Sequence, residues 1–215
     1  MAVLSRVISL VIGYFCGCVL FGYLYSKKRH EDITSMGSGN AGTTNVMRNF
    51  GWKAALMTLL GDLFKVVVAM GIVYFIFKDM YPESVRLLKL YAGLGAVVGH
   101  NHPFYMKDFK GGKGIACTAG IIVGFCPIEI PICLAVFVLI VAFTRYVSVG
   151  SILVCISFFV QTVVFGEIGL LDVTENYSME VYILAAIIMI SGIVRHRENI
   201  KRLMSKTENK FEFRR

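Results

Sequence analysis

VISLVIGYFCGCVLFGYLY, residues 7–25, carries no charged side chain. With the apolar residues just before it, this stretch is long enough to cross the hydrocarbon core of a bilayer as a helix, which takes ~20 residues. FKVVVAMGIVYFIF, residues 64–77, continues an apolar run that begins near residue 54. Moving outward along the chain, apolar runs occupy about 3–25, 54–77, 87–98, 114–125, 127–143, 149–165 and 181–194. Composition agrees: 56% of the 215 residues are hydrophobic, 17% are charged, and the mean hydropathy is +0.69. A soluble domain sits nearer half apolar and a quarter charged. The expected fold is all-α, a polytopic membrane bundle of about seven transmembrane helices forming a single domain, 1–215.

The charges between the runs set an orientation. Segment 26–53 carries Lys27, Lys28, Arg29, Arg48 and Lys53, and segment 99–113 carries Lys107, Lys110 and Lys113. From Arg195 onward there are eight Lys/Arg against three acids, whereas 166–180 has four acids and no Lys or Arg. Basic loops stay in the cytoplasm, so the N-terminus is expected outside and the C-terminus inside. Lys78, Arg86 and Lys89 fall on the outer side, against the trend. The net charge of +8 is thereby explained by membrane topology, and no nucleic-acid partner is expected. The thirty-one residues 114–144 are few for two full passes. Pro127 and Pro131 bracket Glu129 and predict a turn there; two short helices and a re-entrant hairpin both preserve the orientation.

The first run is too long for a signal-peptide core and lacks a small-x-small cleavage site. Cys16, Cys18, Cys117, Cys126, Cys133 and Cys155 lie in or beside apolar runs without CxxC spacing, so they read as buried small hydrophobes.

Three polar segments then emerge on one face. GSGNAGTTNVMRNFG, residues 37–51, offers Gly37, Gly39 and Gly42, where the backbone can approach a ligand closely, and Ser38, Asn40, Thr44 and Asn45, which can orient it; Arg48 supplies a cation. The same composition also suits a flexible polar loop. GHNHPFYMKDFKGGKGIA, residues 99–116, reads as a phosphate cradle: amides of Gly111, Gly112 and Gly114 converge, Lys110 and Lys113 add charge, and a helix N-terminus follows. Headgroup anchoring would use the same lysines. It is not a Walker A loop, since Lys107 stands where the first Gly belongs and Gly114 follows the Lys. His100 and His102 have no third ligand at convincing spacing, so no metal is expected. VRHRENIKRL, residues 194–203, sets His196 and Asn199 on one helical face and Arg195 and Glu198 on another. TRYVSVGS, residues 144–151, adds Arg145, Ser148 and Ser151 on the same side. Asp62 and Lys65, one turn apart in an apolar run, need the bundle interior or water around them.

These segments closely resemble the bacterial acyl-phosphate:glycerol-3-phosphate acyltransferase family, whose signatures are a GSGN-x-G-x-TN-V-x-R loop, a GH…FKGGKG loop and an HRENI-type segment after the last helix. They occur here in order, at 37–48, 99–114 and 196–200, and the likeness extends to the seven-pass layout and the RYVS break. Thr43, His102 and Val66 depart from the usual Ala, aromatic and Gly without removing a polar group. The resemblance implies transfer of a fatty acyl group from acyl-phosphate to the sn-1 hydroxyl of glycerol 3-phosphate, giving lysophosphatidic acid. It implies no cofactor, a bacterial cytoplasmic membrane, a cytoplasmic active site and coupling to an enzyme that makes acyl-phosphate. No histidine has an Asp five residues later, so the H-x-x-x-x-D acyltransferase chemistry is not implied.

Two anionic substrates must then meet at contact distances, where unpaired charges repel by several kcal/mol; Arg48, Lys113, Lys110 and Arg145 would offset that. The expected catalytic residues are Ser38, Arg48, Lys113, His196 and Asn199. The substrate-binding set is Gly37, Gly39, Asn40, Gly42, Thr44, Asn45, His100, Lys110, Gly111, Gly112, Gly114, Arg145, Ser148 and Ser151. His196 could orient or deprotonate the attacking hydroxyl, and a substrate phosphate could equally take the proton. A membrane transporter or receptor for phosphorylated metabolites is the alternative; a transporter would place its ligand groups near the bilayer midplane.

Overall fold

The computed structural model describes residues 3–211, and none of these is in a β-strand. With no water to satisfy backbone groups, helices are the economical solution for apolar runs in lipid. The helices are α1 (Val3–Gly17), α2 (Phe21–Lys28), α3 (Thr43–Phe50), α4 (Trp52–Phe77), α5 (Val85–Asn101), α6 (Ile115–Phe125), α7 (Ile130–Thr144), α8 (Val147–Glu167), α9 (Glu175–Arg195) and α10 (Arg197–Met204). Among the described residues five stretches are long and apolar enough to cross a membrane: Val3–Lys28, Trp52–Phe77, Pro127–Thr144, Val147–Glu167 and Glu175–Arg195. The other two apolar runs became α5, of 17 residues, and α6, of 11. At 1.5 Å per residue, α6 is roughly half as long as the hydrocarbon core is thick. The expected turn between α6 and α7 is present as a 3₁₀ turn at Pro127–Glu129.

Helix α5 is the centre of the bundle, with most of its side chains buried. It packs on α1 through small residues. A methyl at Gly13 or Gly17 would overlap the carbonyls of Ala92 and Ala96, and one at Gly95 or Gly99 those of Leu10 and Tyr14. Two small-xxx-small pairs thus face each other and let the backbones touch, the close packing available to helices in lipid. Gly120 serves α6 against α4 in the same way. Large apolar side chains such as Phe15, Phe75, Phe143 and Ile190 stay exposed on the outer surface, as lipid-facing positions do.

The first apolar run is not one helix. It breaks between α1 and α2, and the carbonyls freed by the break find donors far away in sequence. Lys65 Nζ donates to Gly17 O at 3.0 Å and Val19 O at 2.7 Å, and Tyr105 Oη donates to Cys18 O at 2.6 Å. Lys65 is also 2.7 Å from Asp62 Oδ1 and 3.0 Å from His100 Nδ1, all within the protein interior. Such a break is tolerated at membrane depth because protein groups re-satisfy the backbone.

The bundle has two unlike ends. At one, Arg6 pairs with Glu180 through both carboxylate oxygens, at 2.5 and 2.6 Å, and Tyr91 joins them; Arg86 there meets the Phe125 carbonyl and Asp172. At the other end lie the C-termini of α1, α5, α7 and α9 and the polar segments 37–51, 99–114, 144–151 and 195–211, which touch one another.

Candidate active site

The first polar segment is a loop folded around Asn45. The buried Asn45 side chain donates to Met36 O and Asn40 O, each at 2.9 Å, and its Oδ1 accepts the Ser38 amide at 3.0 Å. Asn45 therefore braces the loop from within rather than facing out. Gly37 and Gly39 take φ of +55° and +68°, which other residues adopt only under strain. Asn40 Oδ1 accepts the Gly42 amide at 2.9 Å, so the chain enters α3 with Gly42 as its N-cap. Ser38 and Arg48 are left on the surface, with Thr43 and Thr44 half-buried at the first turn of α3.

The second segment is packed differently from the cradle expected of it. The Gly112 amide donates to His100 O at 2.9 Å and the Gly111 amide to Asn101 O at 3.1 Å. Both donors therefore close the C-terminus of α5, and neither points to a ligand. A methyl on Gly112 would overlap the His100 ring, and one on Gly111 the His100 carbonyl. His100, buried under this loop against Lys65, supports it from below and does not face the surface. The Gly111 and Gly112 carbonyls receive Arg195: its Nη2 donates to Gly112 O at 2.7 Å and to Gly111 O at 3.3 Å, and its Nε to Gly112 O at 3.1 Å. Asn40 Nδ2 lies 3.4 Å from Gly111 O and links the two loops. Lys110 turns to solvent and pairs with Asp108 at 3.3 Å. Gly114, at φ +79°, is the N-cap of α6.

What this packing presents is Lys113. Its Nζ donates to Asn199 Oδ1 at 2.5 Å, joining the second loop to α10. Burial, together with the charges of Arg202, Arg195 and Arg48, lowers the Lys113 pKa to about 8; Glu208 acts in the opposite sense. One helical turn before Asn199, His196 is buried where α9 passes into α10. Its Nδ1 lies 2.8 Å from Gly192 O, a contact that requires a proton on Nδ1 and leaves the Nε2 lone pair open. Burial is the chief reason the His196 pKa falls to about 4, with Lys113 and Arg195 adding to it, so the ring is neutral near pH 7.

The third contribution comes from the α7–α8 junction and the tail. Ser148 Oγ donates to Glu208 Oε1 at 2.9 Å, and Asn199 Nδ2 donates to the same oxygen at 2.7 Å. Arg202 Nε donates to Glu208 Oε2 at 2.7 Å. Glu208 was not singled out by the sequence, where it is one acid in a basic tail without a motif around it. Ser151 is committed to its own helix, donating to Val147 O at 2.9 Å. Arg145 ends α7 at φ +61° with its side chain exposed, and its carbonyl accepts the Phe211 amide at 2.6 Å. Glu198 pairs with Lys201 and Arg197 on the surface, apart from Arg195. Among the described residues no three His, Cys, Asp or Glu side chains converge as a metal site requires.

Comparison with known proteins adds three likenesses. Residues 7–206 match the family model described as glycerol-3-phosphate acyltransferase. Glycerol-3-phosphate acyltransferases of Thermoanaerobacter sp. (strain X514) and Clostridioides difficile (strain 630) are 36% identical over 205 residues and 38% over 217. The first alignment covers 95% of this chain and 94% of the relative, the second 98% and 97%. The fold is similar to the crystal structure of PlsY (YgiH), an integral membrane glycerol 3-phosphate acyltransferase, in its glycerol 3-phosphate form. That match has a TM-score of 0.83 and 31% identity, over 97% of this chain and 96% of that one. The lysophosphatidic acid form of the same protein gives a TM-score of 0.81.

Proposed function

This chain belongs to the glycerol-3-phosphate acyltransferase family, and from that premise we propose that the cluster around Lys113, His196 and Asn199 transfers a fatty acyl group from acyl-phosphate to the sn-1 hydroxyl of glycerol 3-phosphate. The enzyme is a bacterial-type integral-membrane acyltransferase whose product is lysophosphatidic acid. The single observation that carries the residue assignment is the junction of Lys113 with Asn199, which brings two motifs 86 residues apart in the chain to one point beside His196.

In this reading the hydroxyl oxygen bonds to the acyl carbon, the carbon–oxygen bond to phosphate breaks, and inorganic phosphate leaves. Acyl-phosphate is a mixed anhydride with a good leaving group, so positioning and charge stabilisation supply much of the rate. Lys113 and Arg48 hold phosphate, with Ser38 and Thr44 of the first segment adding hydrogen bonds and Asn40 tying that segment to the second loop. The open Nε2 of His196 accepts a hydrogen bond from the hydroxyl and orients it. With a pKa of about 4, His196 is a weak base. A phosphate oxygen, with a second pKa of about 6, is the better proton acceptor, so the proton finishes on phosphate. Neither a covalent acyl-enzyme nor a divalent ion is required. Asn45, His100, Gly111 and Gly112 act beneath the surface, shaping the loops that carry the contacting groups.

The chain makes seven passes, α5 and the short α6 among them, with the N-terminus outside and the site facing the cytoplasm, as the loop charges favour. Single cysteines at Ser38 and Lys107 in an otherwise cysteine-free protein should then label from the cytoplasm and one at Glu175 from outside. Labelling of 38 and 107 from opposite faces contradicts a shared site. The reaction is tested with purified protein, palmitoyl-phosphate and radiolabelled glycerol 3-phosphate, in excess EDTA, with quenched samples weighed intact. Labelled lysophosphatidic acid without an acylated protein is expected. An acylated protein that chases into product, Mg²⁺-dependent turnover, or use of acyl-CoA in preference to acyl-phosphate would reject the corresponding part of the reading.

A further inference from the structure

We propose that Glu208 is a positioning residue of the acyl-transfer site, fixing the Asn199 amide so that its oxygen faces Lys113. The inference rests on the reading of Lys113 and Asn199 as site residues.

Glu208 lies beyond α10, in a tail stretch without regular structure, yet its side chain is only 5% exposed. Three donors from two helices converge on it: Ser148 of α8, and Asn199 and Arg202 of α10. Beyond it, the Phe211 amide donates to Arg145 O and holds the tail across the α7–α8 junction. A carboxylate ion can only accept hydrogen bonds and an ammonium group can only donate them, whereas the Asn199 amide has one end of each kind. Set between Glu208 at 2.7 Å and Lys113 at 2.5 Å, the amide satisfies both in one orientation. Turned over, it would oppose oxygen to oxygen and N–H to ammonium. The relay therefore runs from Arg202 and Ser148 through Glu208 and Asn199 to Lys113.

Charge gives the second half of the argument. Lys113 is faced by Arg48 of α3, by Arg195 and His196 at the end of α9, by Arg202 of α10 and by Glu208 from the tail. Glu208 is the only carboxylate in that set, and its presence favours the protonated lysine. Burial pushes the Glu208 pKa up, but hydrogen bonds from Asn199, Arg202 and Ser148 together outweigh it and hold the carboxyl below its ordinary pKa, so it is ionised throughout the neutral range. Glu208 therefore acts on Lys113 in two ways: through the amide it orients the ammonium group, and through its charge it keeps that group protonated.

The test is a double-mutant cycle with a pH profile. kcat/KM for glycerol 3-phosphate is measured for Glu208→Ala, Asn199→Ala and the pair, and against pH for the wild type and Glu208→Gln. Glutamine keeps the length and one acceptor but loses the charge, and its thermal midpoint checks that it folds. Glu208→Ala should lower kcat/KM about tenfold in the wild-type background and less than about twofold when Asn199 is already alanine. Glu208→Gln, folded, should move the alkaline limb to lower pH, because Lys113 then loses its proton more readily. An equal loss from Glu208→Ala in both backgrounds, or an alkaline limb unmoved in folded Glu208→Gln, overturns the role of Glu208 while leaving the site reading intact. Wild-type activity in Asn199→Ala overturns both.

Discussion

The loops at 37–42 and 111–114 are both rich in glycine and use it for different purposes. In the first, Gly37 and Gly39 provide positive φ, and the loop wraps the buried Asn45 while Ser38 stays at the surface. In the second, Gly111 and Gly112 are glycine because nothing larger fits against His100, and their amides terminate α5. The first loop is shaped by positive φ, with Gly37 also packed on the Asn45 side chain, and leaves Ser38 at the surface; the second is shaped at Gly111 and Gly112 by contact with His100, which leaves their amides no ligand to bind. The difference lies in what is underneath: a small amide in one case, and the end of a central helix in the other. A glycine-rich stretch beside a lysine is thus equally compatible with a cradle of amides and with a rigid mount for the lysine itself.

The contrast can be broken by substitution. The largest effect should come from Gly112→Ala. Overpacking of a closed contact costs about 1–3 kcal/mol, and here the displaced loop also carries Lys113. A clear fall in thermal midpoint together with loss of nearly all acyl transfer is expected; retention of both would show that the loop is looser than its packing implies. Lys113→Ala leaves the glycine mount intact and removes the charge together with its hydrogen bond to Asn199. It should raise the KM for glycerol 3-phosphate or lower kcat by at least tenfold, about 1.4 kcal/mol, with little change in midpoint. An effect no greater than that of Lys206→Ala, an exposed tail lysine, would mean that Lys113 only anchors the protein at headgroups. Gly39→Ala should have the smallest effect, about 1–2 kcal/mol of local strain from the left-handed backbone, read as a modest activity loss with a midpoint lowered by only a few degrees. A collapse as large as that of Gly112→Ala would erase the distinction between the two loops.

Much of the architecture is legible in the amino-acid sequence. Apolar runs gave the helices because in lipid the backbone can be satisfied within a single helix, and the proline pair around Glu129 marked the turn before α7. What hydropathy did not carry was depth and continuity. The break at 18–20 is invisible locally, since those residues are as apolar as their neighbours; it exists because Lys65 and Tyr105, distant in sequence, satisfy its carbonyls. The brevity of α6 had a hint in the short 114–144 segment, whereas its close approach to α4 depends on Gly120 meeting Leu63. In the site, Lys113, His196 and Asn199 stood out because polar groups of that kind need a reason at a membrane edge. His100, Asn45, Gly111 and Gly112 shared the same motifs, and spacing alone does not separate a residue that touches a ligand from one that braces it. Glu208 had no motif at all; only the convergence of Ser148, Asn199 and Arg202 reveals it.

The central claim is that the closed loop exists to present a charged Lys113 to substrate phosphate, and the most direct measurement is kcat/KM against pH for the wild type and Lys113→Arg. The free enzyme's essential groups govern that quantity. Burial and the neighbouring arginines bring the Lys113 pKa to about 8. Its charge is therefore complete below that pH and lost as pH rises through it. Arginine stays protonated across the whole range. Wild-type kcat/KM should fall above a pH of about 8, and whatever activity Lys113→Arg retains should stay level there. Parallel decline in the two proteins would contradict the assignment of Lys113 as the phosphate-binding cation.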